Sequence, residues 1–234
     1  MKTMPTTTIR TQTKMSEELG TILETIREEM NDLNTARDAA ISQSRELIRH
    51  CATSIRAIHR RDWDDVNEKL TIVKNRADEL RAVVADYPEL YHSGYTQGAL
   101  KEVVEAHITY AIIRDDNLPS ATDLNVIGST YLKGLGEAAT ELRRFILDIM
   151  RHSERHSEEA ERLLDWMDEI YGYLITFDFP DALTHGLRRQ TDIVRGVLER
   201  TRGDMTSSLR QQQLQDAIAQ FEKRLADADA DTQS

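Results

Sequence analysis

The sequence has little of what builds disulfide scaffolds, β structure or membrane spans. A single cysteine, Cys51, in 234 residues excludes an intrachain disulfide and suits a reducing compartment. Four prolines, ten glycines and 6% aromatic residues leave few turn formers and few of the rings that favour strands. No uninterrupted apolar run approaches the ~18 residues that a membrane helix needs, so a cytoplasmic protein without a membrane partner is expected. Lysine is scarce too: seven of the 30 basic residues, against 23 arginines. With a net charge of −11 the whole molecule repels nucleic acid, and any surface that binds it must gather its basic residues locally. The acidic, lysine-poor balance resembles that of proteins from salt-loving cytoplasms.

What is present is helical periodicity. From Ser16 to Arg61 the apolar positions Leu19, Ile22, Ile26, Met30, Leu33, Ile48, Ile55 and Ile58 recur in steps of three and four, or multiples of them, which predicts one very long amphipathic helix. Cys51 falls among those positions and reads as a small buried hydrophobe. A second helix is expected from Asp62 or Asp64 to just before Pro88, and a third from about Gln97 to Arg114. A loop follows over Asp115–Asp123, and the helical pattern resumes from Leu124 through Ile149. Further helices are expected at Ser157–Thr176, Asp181–Arg202 and Ser207–Ala226, with Pro180 and Gly203 as punctuation. This gives an all-α bundle of seven helices in one domain over residues 16–226. Residues 1–15, which lack the apolar core of a secretory signal, and residues 227–234 are expected to be disordered tails.

The chemistry is concentrated in glutamates at helical spacing. Glu102 and Glu105 lie side by side on the third helix, at the edge of the apolar face of Leu100, Val103, Val104 and Ile108. Glu137 and Glu141 share a face of the next helix, beside Leu135, Ala138, Leu142 and Phe145. Like charges at these spacings repel, more strongly when partly buried. A hard divalent cation such as Mg²⁺ or Mn²⁺ relieves that repulsion with oxygen ligands alone and activates water for phosphodiester hydrolysis. The competing reading is a pair of solvated acidic faces balanced by Lys101, Lys133, Arg143 and Arg144. A di-iron centre needs a Glu-x-x-His from each of two helices, and only Glu89-Leu-Tyr-His92 has that form.

On the first helix Arg45, Arg49, Arg56 and Arg60 fall within about 60° of one another, away from the apolar face. They form a basic stripe able to hold phosphates, or a solvated arginine face. His152 and His156, four apart with Asp148 one turn earlier, have a spacing that suits a transition metal, although their polar surroundings favour an ordinary solvated segment. Trp63 and Trp166 read as packing anchors rather than base-stacking platforms.

Several of these segments also resemble a known family. Gly98-Ala-Leu-Lys-Glu-Val-Val-Glu-Ala106, followed by Tyr110, is similar to the Gln-Glu-Tyr-Val-Glu-Ala-x-x-Phe segment of TRAX. Tyr131-Leu-Lys-Gly-Leu-Gly-Glu-Ala-Ala-Thr-Glu-Leu-Arg-Arg144 resembles a second run shared by TRAX and translin. Ala36-Arg-Asp38 with Arg45, and Leu187 to Gly203, resemble the family's first and late helices, so the likeness spans roughly Ile26 to Gly203. It implies a translin-like seven-helix fold, an octameric homo-oligomer with a possible translin-like partner subunit, and on the TRAX side Mg²⁺-dependent endoribonuclease activity on single-stranded RNA, with single-stranded DNA as a further candidate. By position, Glu102 and Glu105 match the two TRAX glutamates, Glu137 stands where TRAX has its catalytic aspartate, and Glu141 matches a nearby glutamate. The resemblance therefore casts Glu102, Glu105 and Glu137 as catalytic metal ligands supported by Glu141, with Arg45, Arg49, Arg56 and Arg60 positioning the strand. Two other functions suit the same residues: a translin-like protein that binds single-stranded nucleic acid without cutting it, and a helical protein–protein adaptor.

Overall fold

The computed structural model describes residues 6–152 and 157–232, with side chains over 15–152 and 157–224. Every regular element among them is a helix: α1 Thr6–Arg60, α2 Trp63–Val83, α3 Pro88–Tyr91, α4 Gly94–Arg114, α5 Gly128–His152, α6 Glu158–Leu174, α7 Asp181–Thr184 and α8 Leu187–Thr232. None is long and apolar enough to cross a membrane. The all-α expectation holds, with eight helical elements in place of seven because two single-turn pieces, α3 and α7, stand apart from the long helices.

Local chemistry accounts for the breaks. Arg61 adopts a left-handed φ of 55°, and the Asp62 carboxylate accepts from the Asp65 amide at 3.4 Å, so α1 turns back into α2 within two residues. Asp115 closes α4 in the left-handed region, φ 59°. Ser157 caps α6 through its hydroxyl. The expected helix at Asp181–Arg202 is split by His185 and Gly186, with φ of 49° and 86°. Gly203 does not end a helix as expected. It sits inside α8, where nothing crowds its Cα, and α8 runs on past Ala226 to Thr232. The helix expected from Leu124 starts at Gly128, because Ser120 and Asp123 hold the preceding turn through mutual hydrogen bonds. At the N-terminus α1 begins at Thr6 rather than Ser16, since no proline or glycine interrupts the threonine-rich segment after Pro5; residues 1–5, like 233 and 234, lie outside the described residues.

Cross-links fix the helix directions. Glu46–Arg76 and Arg60–Asp65 make α1 and α2 antiparallel. Tyr110 bonds Asn67 while His107 lies by Lys74, so α4 runs against α2. Gln97–Thr130 and Lys101–Glu137 make α5 parallel to α4, and Gly136 against Gln190 with Arg143–Thr201 makes α8 parallel to α5. Helices α1, α4, α5 and α8 therefore point one way. The core between them is built from Leu47, Ile58, Leu100, Ile108, Leu142 and Ile146, all fully buried.

Candidate functional site

The parallel crossing of α4 and α5 is unusually close, and it builds the site. A Cβ on Gly134 would lie 2.6 Å from Val104 Cβ and 2.7 Å from the Lys101 carbonyl, so only glycine lets the backbones approach this far. One turn on from Gly134, Glu137 then stands against Glu102 and Glu105. Carboxylate oxygens of the three lie within 4.8 Å of one another, the spacing that one hard cation bridges. Three of the four glutamates expected at a metal are thus brought together, and Glu141 lies outside the trio.

Burial and charge sharpen the arrangement. Glu102, Glu137 and Glu141 keep only about a quarter of their side-chain surface exposed, which sets aside the picture of fully solvated faces. Lys101 Nζ donates to Glu137 at 2.6 Å and lies 3.1 Å from Glu102. Burial favours the neutral amine at Lys101, but the Glu137 and Glu102 carboxylates outweigh it and hold its pKa above the ordinary lysine value. Glu105 forms no ion pair among the described residues, and Lys101 opposes its shift only weakly. Burial first, and then the charges of Glu102, Glu137 and Glu141, push its carboxyl up to about 8. Burial also raises Glu137, with Lys101 opposing the shift. Lys133 adds positive charge beside Glu137, and Arg144 lies 3.8 Å from Glu141.

Glu141 stands beside the trio, and its nearer partner, closer than Arg144, is a residue that the sequence did not single out. His59, near the end of α1, places Nε2 2.5 Å from Glu141 Oε1 while its ring stacks on Phe145 at 3.8 Å between centroids. Its side chain is 7% exposed, and Nδ1 is buried without a hydrogen-bond partner among the described residues. A lone histidine one position past Ile58 carries no spacing signal; only the meeting of α1 with α5 reveals it. Cys51 lies beneath the site, fully buried, its thiol pushed up by burial and by the nearby Glu102 and Glu105 charges. It behaves as the expected small hydrophobe.

The arginine stripe lies elsewhere. Arg45, Arg49, Arg56 and Arg60 are all exposed on the side of α1 opposite Leu47, Cys51 and Ile58, so within one chain they do not line the carboxylate site. Arg60 is paired with Asp65 at 3.0 Å, whereas Arg45, Arg49 and Arg56 enter no ion pair among the described residues. His152 is exposed and bonds the Asp148 carbonyl of its own helix, and His156 lies outside the described residues. Trp63 meets Tyr110 edge-on and carries Arg114 on its ring, and Trp166 packs on the core, as anchors do.

No family model matches the chain. An uncharacterized protein of Methanocaldococcus jannaschii is 33% identical over 187 residues, which cover 79% of this chain and 82% of that protein. Among solved structures the chain is similar to AfC3PO in complex with duplex RNA, with a TM-score of 0.72 and 31% identity over 80% of this chain and 95% of that one. AfC3PO alone gives 0.71 at 31% identity over 80% and 96%. Apo-NeC3PO, at 21% identity and a TM-score of 0.70 over 80% and 96%, shares the fold.

Proposed function

The chain belongs to the translin family, whose subunits form the C3PO structures, and from that premise we propose that it is a metal-dependent endoribonuclease. The observation that carries the reading is the half-buried cluster of Glu102, Glu105 and Glu137 within 4.8 Å, whose crowding raises Glu105 to about 8. The donors are all carboxylate oxygens, which fit Mg²⁺ or Mn²⁺. When bound, such an ion supplies Lewis acidity, acidifying water and offsetting charge on the phosphodiester.

The chain's own residues do the rest. Glu102, Glu105 and Glu137 would hold the ion, for which Glu105 would have to be ionised. His59 fixes the Glu141 carboxylate alongside them through Nε2. Lys101 restrains Glu137 and Glu102 through its ammonium and would offer that charge to a phosphate bound there. Arg45, Arg49 and Arg56, free of ion pairs among the described residues, form a separate surface for the RNA backbone, an interaction that depends on salt but not on sequence. The exposed apolar group of Tyr173, Ile175, Phe179 and Leu183 supports self-association, in keeping with a homo-oligomeric shell. The set retains four carboxylates, which favours the TRAX-like, cutting side of the family over the binding-only side.

Cleavage of labelled RNA, both single-stranded and duplex, with Mg²⁺ or with EDTA tests this. The wild type is expected to cut only with Mg²⁺, and a folded Glu102→Ala, Glu105→Ala protein is expected not to cut. Salt-sensitive binding without Mg²⁺-stimulated product would instead identify a non-catalytic RNA-binding protein, and no affinity for RNA at all would leave the adaptor reading.

A further inference from the structure

Two stretches of the long helices take no part in the bundle. At the start of α1, Leu19, Ile22 and Ile26 are 56%, 56% and 45% exposed, and at the end of α8, Leu214, Ile218 and Phe221 are 61%, 49% and 60% exposed. Each trio lies on one face of its helix, an apolar stripe with no partner among the described residues. The likeness to AfC3PO covers 80% of this chain, so part of the chain lies outside the shared fold. The two stripes cannot meet within one molecule. Because α1 and α8 run parallel, the beginning of α1 and the end of α8 leave the bundle at opposite ends.

The stripes are complementary in spacing. Read from Leu214 forward, the apolar steps on α8 are four and three; Ile26, Ile22 and Leu19 give the same steps read backward on α1, where Leu23, 50% exposed, widens the same stripe beside Ile22. An antiparallel pairing thus sets Leu214 against Ile26, Ile218 against Ile22 and Phe221 against Leu19 in successive layers. The flanks agree. At about 100° per residue, Arg210 and Arg224 fall on one side of the α8 stripe, and Glu29 and Glu18 on the corresponding side of the α1 stripe; like sides face each other across an antiparallel pair. In the same register Arg210 stands within one residue of the level of Glu29, and Arg224 within two residues of the level of Glu18. None of these four enters an ion pair among the described residues. On the other flank Gln211 and Gln215 face Arg27, which pairs with Glu24 of its own helix, while Asp216, Lys223, Glu17 and Glu28 point away from the seam.

We propose that the start of α1 in one molecule pairs antiparallel with the end of α8 in a second copy. Two molecules placed head to foot make this contact twice, once at each end, which closes a two-fold dimer rather than an open chain. The pairing occupies a surface separate from the carboxylate site and from the apolar group around Phe179, so it joins copies independently of any shell that the shared fold builds.

Disulfide trapping on the full chain tests it, since the one native cysteine is fully buried. Ile22→Cys with Ile218→Cys, under mild oxidation, is expected to yield a covalent two-chain species with a peptide link between those positions. Ile22→Cys with Asp216→Cys, which moves the second thiol to the back of α8, is expected not to. Adding Glu18→Arg and Glu29→Arg to the first pair should slow trapping about tenfold, and adding Arg210→Glu and Arg224→Glu as well should restore it. Equal trapping of both cysteine pairs, no interchain link, or a charge reversal without effect or without rescue would overturn the proposal.

Discussion

Gly134 faces Val104 so closely that a β-carbon on the glycine would stand 2.6 Å from the valine's own. This approach sets the separation of α4 and α5, and with it the distance from Glu137 to Glu102 and Glu105.

Gly134→Ala is therefore expected to destabilise the protein in spite of alanine's better helix propensity. The clash is with a β-carbon and a backbone carbonyl, neither of which moves without shifting a helix, and overpacking of this kind costs about 1–3 kcal/mol. Gly98→Ala, on the same α4 but with open space around its Cα, is expected to do the reverse and gain up to about 1 kcal/mol. Thermal unfolding of the two variants beside the wild type checks both signs, and Mg²⁺ affinity should fall in the first variant only.

Glu105 gives the protein a pH dependence whose sign follows from its raised pKa. Between the ordinary glutamate value and about 8, the folded protein holds a proton that the unfolded chain has already released. Without metal, stability is therefore highest at the acid end of that window and falls as pH rises through it. Glu105→Gln removes this loss, so its melting temperature should exceed that of the wild type at pH 8 and match it near pH 4.5. Binding of Mg²⁺ needs the ionised carboxylate. Calorimetric titration should show wild-type affinity climbing up to about tenfold per pH unit and levelling off above about pH 8, with proton release that Glu105→Gln abolishes.

How much of this was legible beforehand differs from residue to residue. The pairs Glu102–Glu105 and Glu137–Glu141 show in the sequence because spacings of three and four share a helix face whatever the fold. That the two pairs meet depends on the parallel crossing at Gly134, to which periodicity is blind; only the family resemblance pointed there. His59 was invisible because its function comes from Phe145 and Glu141, 86 and 82 positions along the chain. Gly203 misled because a glycine ends a helix only where the backbone must turn left-handed, and at that exposed point of α8 it need not. The real break at Gly186, with φ of 86°, had the right residue type but stood inside an apolar repeat that reads as continuous.

Lys101 competes with a cation for the same carboxylates. Lys101→Met leaves Glu137 and Glu102 half-buried without their ammonium, so the metal-free protein should lose about 1–3 kcal/mol, discounted for the site's partial exposure. With the competitor gone, Mg²⁺ or Mn²⁺ should bind more tightly and recover much of that stability. Unfolding with and without the ion separates the two effects; a variant that loses stability and fails to regain it with metal would mean that Lys101 belongs to a purely structural ion network.

The arginine stripe and the carboxylates lie on different sides of α1, so their contributions should separate. Arg45→Gln with Arg49→Gln removes two guanidinium groups that have no ion-pair partner among the described residues, at exposed positions where little stability is at stake. RNA affinity is expected to fall, and the slope of log affinity against log salt to shrink by about one for each phosphate no longer neutralised. Metal affinity and the maximal cleavage rate at saturating RNA should stay at wild-type values, because neither arginine touches the glutamates. A fall in that maximal rate would place the stripe at the reacting phosphate, reached from a neighbouring copy in the assembly, whereas unchanged affinity and slope would return these arginines to an ordinary solvated face.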